Sequence, residues 1–204
     1  MKVAIIYYTM YGHTLALARA VEEGAKAVPG VEVVLRRVAE FESVMPQVNA
    51  SEHARKTYAE QQAIPLAMLD DLRSADAVIF GSPTRYGNMA AQLKAFLDTT
   101  VQLWSKGELE GKPGAVFAST ATTHGGQEST LLSMMNPLIH LGMVVVGVPY
   151  STPGMIHNEA RGSSPYGASV VAGPKGELAP HPADLEIGRA LGKRVAEIAK
   201  KLRG

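Results

Sequence analysis

Two threonines, a glycine and an imidazole gather in Thr9-Met10-Tyr11-Gly12-His13-Thr14, between an apolar run and an amphipathic one. Val3–Tyr7 reads as a buried strand, and Leu15-Ala16-Leu17-Ala18-Arg19-Ala20-Val21 reads as a helix. At a helix start the backbone N–H groups are free, and the helix dipole favours negative charge. A phosphate-bearing ligand is the chemistry such a segment suits. It carries no lysine and does not match the G-x-x-x-x-G-K-[ST] spacing of loops that grip a triphosphate. Thr9, Thr14 and backbone amides would do the work, which fits a terminal monophosphate.

Two further segments share that composition. Gly81-Ser82-Pro83-Thr84-Arg85-Tyr86-Gly87-Asn88 follows the third apolar run, and Ser119-Thr120-Ala121-Thr122-Thr123-His124-Gly125-Gly126-Gln127 follows the fourth. Pro83 fixes the backbone where its loop begins, and Gly87 permits close approach of backbone to a ligand. Amides there could donate to the N5 and O4 edge of a flavin, with Tyr86 as an aromatic wall. Hydroxyls and Gly125-Gly126 could back the other edge or the ribityl chain. FMN is the ligand these loops suit, and a nucleotide suits them nearly as well.

The elements that must position the loops are five short apolar runs alternating with amphipathic stretches. The strand candidates are Val3–Tyr7, Val31–Leu35, Ala77–Phe80, Ala115–Ala118 and Val144–Val148; most are apolar on both faces, as in a parallel sheet covered by helices. Helices are expected near residues 14–27, 66–74, 89–104, 127–141 and 183–202, the last with Leu185, Ala190, Leu191, Val195, Ile198 and Leu202 at helical spacing. The fold class is therefore α/β: a three-layer, doubly wound, five-stranded parallel sheet in the flavodoxin-like order 2-1-3-4-5. In that order strands 1, 3 and 4 are neighbours, so the three loops meet at the carboxyl ends of adjacent strands. Two segments break the rhythm. Residues 39–65 are polar with a helical hint at Glu52–Gln62, and residues 149–183 hold six prolines and five glycines. The latter reads as an irregular excursion that forms an ordered cover or a subunit contact.

Composition narrows the partners. At 204 residues the chain is expected to be a single domain spanning 1–204, with 46% hydrophobic residues for its core. Twenty basic against 19 acidic residues leave a net charge of +1, so no one-signed field would hold nucleic acid. With no cysteine, disulfides, thiolate catalysis and cysteine-ligated metal are excluded, and a cytoplasmic location is consistent. No apolar run is long enough for membrane insertion. The six histidines show no H-x-x-x-H spacing, so no metal site is expected.

Tyr7-Tyr8-Thr9-Met10-Tyr11-Gly12-His13, Phe80-Gly81-Ser82-Pro83-Thr84-Arg85-Tyr86-Gly87-Asn88-Met89, His124-Gly125-Gly126-Gln127-Glu128 and Arg161-Gly162-Ser163-Ser164-Pro165-Tyr166-Gly167-Ala168 occur in this order. Together they resemble the WrbA family of flavodoxin-like NAD(P)H:quinone oxidoreductases, over nearly the whole chain. The resemblance implies FMN phosphate on Thr9, Met10, Tyr11, Gly12, His13 and Thr14, and the flavin ring against Pro83, Thr84, Arg85, Tyr86 and Gly87. It also implies that Ser119, Thr120, Ala121, Thr122 and Gly125 complete the pocket, joined by His140. Tyr11 would meet the nicotinamide nucleotide, and Trp104 would wall the quinone site, presented to a neighbouring subunit of a homotetramer.

Plainer readings stand beside these. Gly12 could serve a tight turn, Arg85 a surface ion pair, and His13 solvent alone. His124 sits beside two glycines and suits a pocket lining and a turn equally. Trp104 falls in register with Leu93, Leu97 and Thr100 on one helix face, which reads as core packing; His140 reads as a helix-end group. The function expected is passage of two electrons from NADH or NADPH through FMN to a small-molecule quinone by a ping-pong route, with no side chain needed as a strong acid or base. The alternative is a flavodoxin-type electron carrier, or an FMN-binding partner protein, without nicotinamide turnover. Carriers dock through strongly acidic surfaces, against which the net charge of +1 argues.

Overall fold

A computed structural model describes residues 1–203. Its centre is a parallel sheet. Strand β1 (Lys2–Tyr7) lies between β2 (Glu32–Arg37) and β3 (Ala77–Arg85), with Ile5 opposite Leu35 on one side and Ile79 on the other. On the far side of β3 runs β5 (Pro113–Thr120), with Ile79 opposite Ala115. Between β3 and β5 in sequence, the two-residue β4 (Asn88–Met89) folds back antiparallel on the end of β3. The order expected of the five apolar runs, 2-1-3-4-5, is the order found.

The fifth position is assembled from two pieces. β6 is only Val144–Val145 and pairs with the start of β5, whereas β7 (Ala168–Val171) pairs with its end. The expected strand Val144–Val148 stops early because the chain leaves the ladder after Val145, while Val146 and Val148 stay buried in the core. Part of the stretch expected to be irregular thus returns to the sheet as β7. The excursion between the pieces is tied down by Arg161. Its Nη2 donates to the Gly154 carbonyl at 2.8 Å, and its guanidinium pairs with Glu159 at 2.7 Å and with buried Asp184 at 3.6 Å. Burial pushes the Asp184 carboxyl up, against the opposing pull of the Gly162 amide and the Arg161 charge.

Alternation along the strands feeds two cores. Val3, Ile5, Tyr7, Ile79 and Phe117 face α1 (His13–Lys26) and α8 (Pro182–Arg203). Ala4, Ile6, Val78, Phe80 and Val116 face the opposite layer. That layer holds α2 (Met45–Ala50), α3 (Glu52–Gln61), α4 (Leu69–Ser74), α5 (Ala91–Asp98), α6 (Val101–Ser105) and α7 (Gln127–His140). The helical hint at Glu52–Gln62 becomes α3, whose start is capped by Ser51 Oγ accepting from the Ala54 amide at 3.2 Å.

The single helix expected at 89–104 is broken at Thr99-Thr100. Thr99 Oγ1 donates to the Phe96 carbonyl at 2.6 Å and Thr100 Oγ1 to that of Leu97 at 2.7 Å, so hydroxyls take acceptors a continuing helix would use. The break rotates α6 relative to α5. Leu103, not Trp104, is buried, and Trp104 is 59% exposed. Core packing of Trp104, read from its spacing to Leu93 and Leu97, fails for that reason.

Candidate functional site

The loops after β1, β3 and β5 line one cavity of about 420 Å³, within the range of small-molecule pockets. Thr9, Met10, Tyr11 and His13 come from the first loop, Pro83, Thr84 and Arg85 from the second, and Ser119, Thr120 and Ala121 from the third. Hydroxyl pairs knit the loops together. Thr14 Oγ1 and Ser119 Oγ lie 2.8 Å apart beneath the floor, and Thr130 Oγ1 donates to Thr84 Oγ1 at 2.8 Å.

The start of α1 opens into this cavity without a cap. Gly12 sits at φ +90°, no side chain bonds to the first turn, and that turn holds no acidic residue. Its first N–H groups therefore keep their donor capacity and their share of positive dipole. Thr9 Oγ1 accepts from the Gly12 amide at 3.0 Å, which leaves its own proton free to donate. The arrangement fits an anionic group of a ligand.

The second loop is a two-residue hairpin turn. Tyr86 at φ +54° and Gly87 at φ +75° connect the paired Arg85 and Asn88, the backbone signs of a type I′ turn. A side chain at Gly87 would sit 2.8 Å from Ser129 Oγ, and one at Gly126 would sit 3.0 Å from the Gly87 Cα, so the second and third loops touch through glycines. The turn leaves the Tyr86 ring fully in solvent at the rim. Arg85 Nη1 donates to the Thr84 carbonyl at 2.9 Å, and its Nη2 lies 3.9 Å from Met10 Sδ; no carboxylate pairs with it among the described residues.

Several expected residues stand apart from the cavity. Thr122 and Gly125 belong to the third loop but not to its lining, and His124 is exposed beside a second hollow of about 390 Å³. His140 stands apart as well. It ends α7, whose first residue comes directly after the third loop, and a 14-residue helix carries it about 21 Å toward the amino end of the sheet. Within one chain it does not reach the cavity.

Other residues join the site unannounced by the sequence. Ser51, next to α3, lines the cavity, and His53 Nε2 donates to the Tyr11 carbonyl at 2.7 Å. The His53 ring stacks on Tyr11 with centroids 6.4 Å apart and planes 6° from parallel. The segment after β7, Ala172 to Gly176, forms the remaining wall. His13 is nearly buried rather than solvated, and Nε2 donates to the Leu178 carbonyl at 3.0 Å. Burial lowers its pKa, with a smaller push from His53, so the ring is held toward its neutral form. Behind the cavity, burial and the hydrogen bond to Glu40 raise the Tyr8 phenol, which therefore keeps its proton at neutral pH.

Comparison with known proteins bears on the family and the fold. The family model for NADPH-dependent FMN reductases matches residues 1–157. The chain belongs to that family. A Geotalea daltonii protein named NAD(P)H dehydrogenase (quinone) is 54% identical over 205 residues, 99% of this chain and 98% of that one. A Geobacter sulfurreducens protein of the same name is 52% identical over 207 residues, the whole of both. The crystal structure of a WrbA-like flavodoxin from Agrobacterium tumefaciens superposes with a TM-score of 0.65 at 24% identity, covering 98% of each chain. At that identity the likeness carries the fold, which is the flavodoxin-like fold the loops required. No described helix is long and apolar enough to cross a membrane.

Proposed function

We propose that this chain is an FMN-dependent oxidoreductase that passes two electrons from NADH or NADPH to a quinone. The observation that carries the reading is the uncapped, acid-free start of α1, open to a cavity walled by three loops. The names of the Geotalea and Geobacter relatives support it. When bound, FMN supplies the two-electron chemistry.

The chain's own groups hold and orient it. Amides at the start of α1, those of His13 and Thr14, bind the phosphate together with the Thr9 hydroxyl, which the Gly12 amide orients. The Thr84 hydroxyl accepts from the Gly87 amide at 3.1 Å and from Thr130, which leaves its proton free to point at the ring. Arg85 offers its cation at the ring edge, while Pro83, Ser119, Thr120 and Ala121 exclude water behind it. Tyr86 at the rim and Tyr11, stiffened by the His53 stack, receive the nicotinamide nucleotide. One open side serves both substrates, so they visit in turn and the kinetics are ping-pong.

The exposed Trp104 and Val101 suit contact with another copy, and the assembly is a homotetramer in which Trp104 walls a neighbour's quinone site. His140, remote from its own cavity, acts only across that assembly. A cytoplasmic home fits a cysteine-free chain that draws on NAD(P)H.

Mixing the FMN-loaded protein with NADPH without oxygen tests the reading. The flavin's visible absorbance bleaches, and a benzoquinone added afterwards restores it. Persistence of the yellow colour under NADPH and NADH alike overturns the enzyme.

A further inference from the structure

The first loop contains no lysine, yet one stands in the cavity wall it faces. Lys175 belongs to the segment after β7, which closes the site from a sequence distance of more than 160 residues. That segment is firmly placed. The Ala172 amide donates to the Thr120 carbonyl at 2.7 Å, the Leu178 amide to that of Ala172 at 2.8 Å, and His13 Nε2 to that of Leu178 at 3.0 Å. Gly176 lies against His13, with a Cβ site only 3.6 Å from the ring. The wall is thus fastened to the third loop at one end and to the start of α1 at the other.

Charge at this end of the cavity is short without Lys175. A phosphate monoester carries about −1.5 to −2 at neutral pH, and a helix start offers roughly +0.5. His13 is held toward its neutral form by burial and adds little. The Arg85 guanidinium donates to the Thr84 carbonyl of its own loop and reaches Met10 Sδ of the first at 3.9 Å, which sets it at the ring edge. The Lys175 side chain has no ion pair among the described residues, and the nearby Glu177 carboxylate is turned onto the Lys175 backbone amide at 2.8 Å. An exposed, unpaired cation on a fixed wall beside an anion cradle has an evident use.

We propose that the Lys175 ammonium is the counter-charge to the FMN phosphate, completing from the far end of the chain a cradle that the first loop leaves deficient. The inference rests on the FMN reading of the site and adds to it a phosphate-binding residue. NAD(P)H also carries phosphates, and the test separates the two.

Apo-protein is titrated with FMN and with riboflavin, tracking the quenching of flavin fluorescence, for the wild type, Lys175→Gln and Lys175→Arg. Lys175→Gln weakens FMN about ten-fold at low salt, leaves riboflavin unchanged, and its deficit shrinks as salt screens the pair. Lys175→Arg restores most of the affinity. FMN affinity equal to wild type in Lys175→Gln overturns the inference, including the case in which only the KM for NADPH rises. Equal losses of FMN and riboflavin overturn it too, since a loop that merely packs would affect both. A wild type that binds no FMN takes down the flavin reading itself, a result distinct from all of these.

Discussion

Stripped of flavin, the protein is expected to bind FMN about a thousand-fold more tightly than riboflavin. The two ligands share ring and ribityl chain and differ only in the phosphate, so the ratio isolates the phosphate cradle, chiefly the start of α1. Hydrogen bonds to a charged acceptor are worth about 1.5–3 kcal/mol each. Two or three amides and the Thr9 hydroxyl, less the cost of drying the phosphate, leave about 4 kcal/mol, or three decades of affinity. The absence of a side-chain cap and of an acidic residue in the first turn makes this possible, because no side chain occupies the His13 and Thr14 amides, while the Gly12 amide holds Thr9 Oγ1 in place. Isothermal titration at one salt concentration checks it. Equal affinity for the two ligands would mean that the phosphate lies in solvent.

The second large effect concerns the scaffold that holds that helix. Helices α1 and α8 pack backbone to backbone through glycines. A Cβ at Gly24 would lie 1.8 Å from the Arg189 carbonyl oxygen, and one at Gly192 would lie 1.9 Å from that of Val21. Neither neighbour is a flexible side-chain end, so one added methyl group must push the helices apart along their whole contact. Overpacking of this kind costs about 3 kcal/mol. Gly192→Ala is therefore expected to lower Tm by roughly 6–12 °C in a thermal melt. Gly30→Ala provides the contrast. Its Cβ meets nothing within 4 Å, and only its φ of +80° opposes the change. That substitution costs about 1 kcal/mol. A Gly192→Ala protein as stable as the Gly30→Ala protein would show that the helices slide apart freely.

The sequence made the sheet legible because its signals are local. Apolar runs such as Val3–Tyr7 and Ala77–Phe80 can be buried on both faces only in a covered parallel sheet, and the loops after them fall where such a sheet binds ligands. The split of the fifth strand was not legible. Val146 and Val148 have the same composition as strand residues, but their side chains serve the core while Ala168–Val171 takes the ladder. Pairing over such a separation is decided by packing, which no window of sequence contains. Trp104 misled through a single assumption, that residues 89–104 formed one helix; two adjacent threonines were the signal of the break.

The site was legible in part for the same reason. Thr9, Thr84 and Ser119 lie in segments that declare themselves by composition and by position after a strand. Ser51, His53 and the wall from Ala172 to Gly176 lie in stretches whose destination depends on the returns of α3 and β7 to the sheet. His140 was in principle decidable, since 14 residues of helix from Gln127 must carry it to the other end of the sheet.

The most direct measurement is a crystal structure of the protein grown with FMN. Phosphate density within hydrogen-bonding distance of the His13 and Thr14 amides and the Thr9 hydroxyl is the expected result, with the ring passing between the Thr84–Arg85 and Ser119–Ala121 segments. Ordered FMN with its phosphate turned away from the start of α1, or a cavity that stays empty at saturating FMN, contradicts the account.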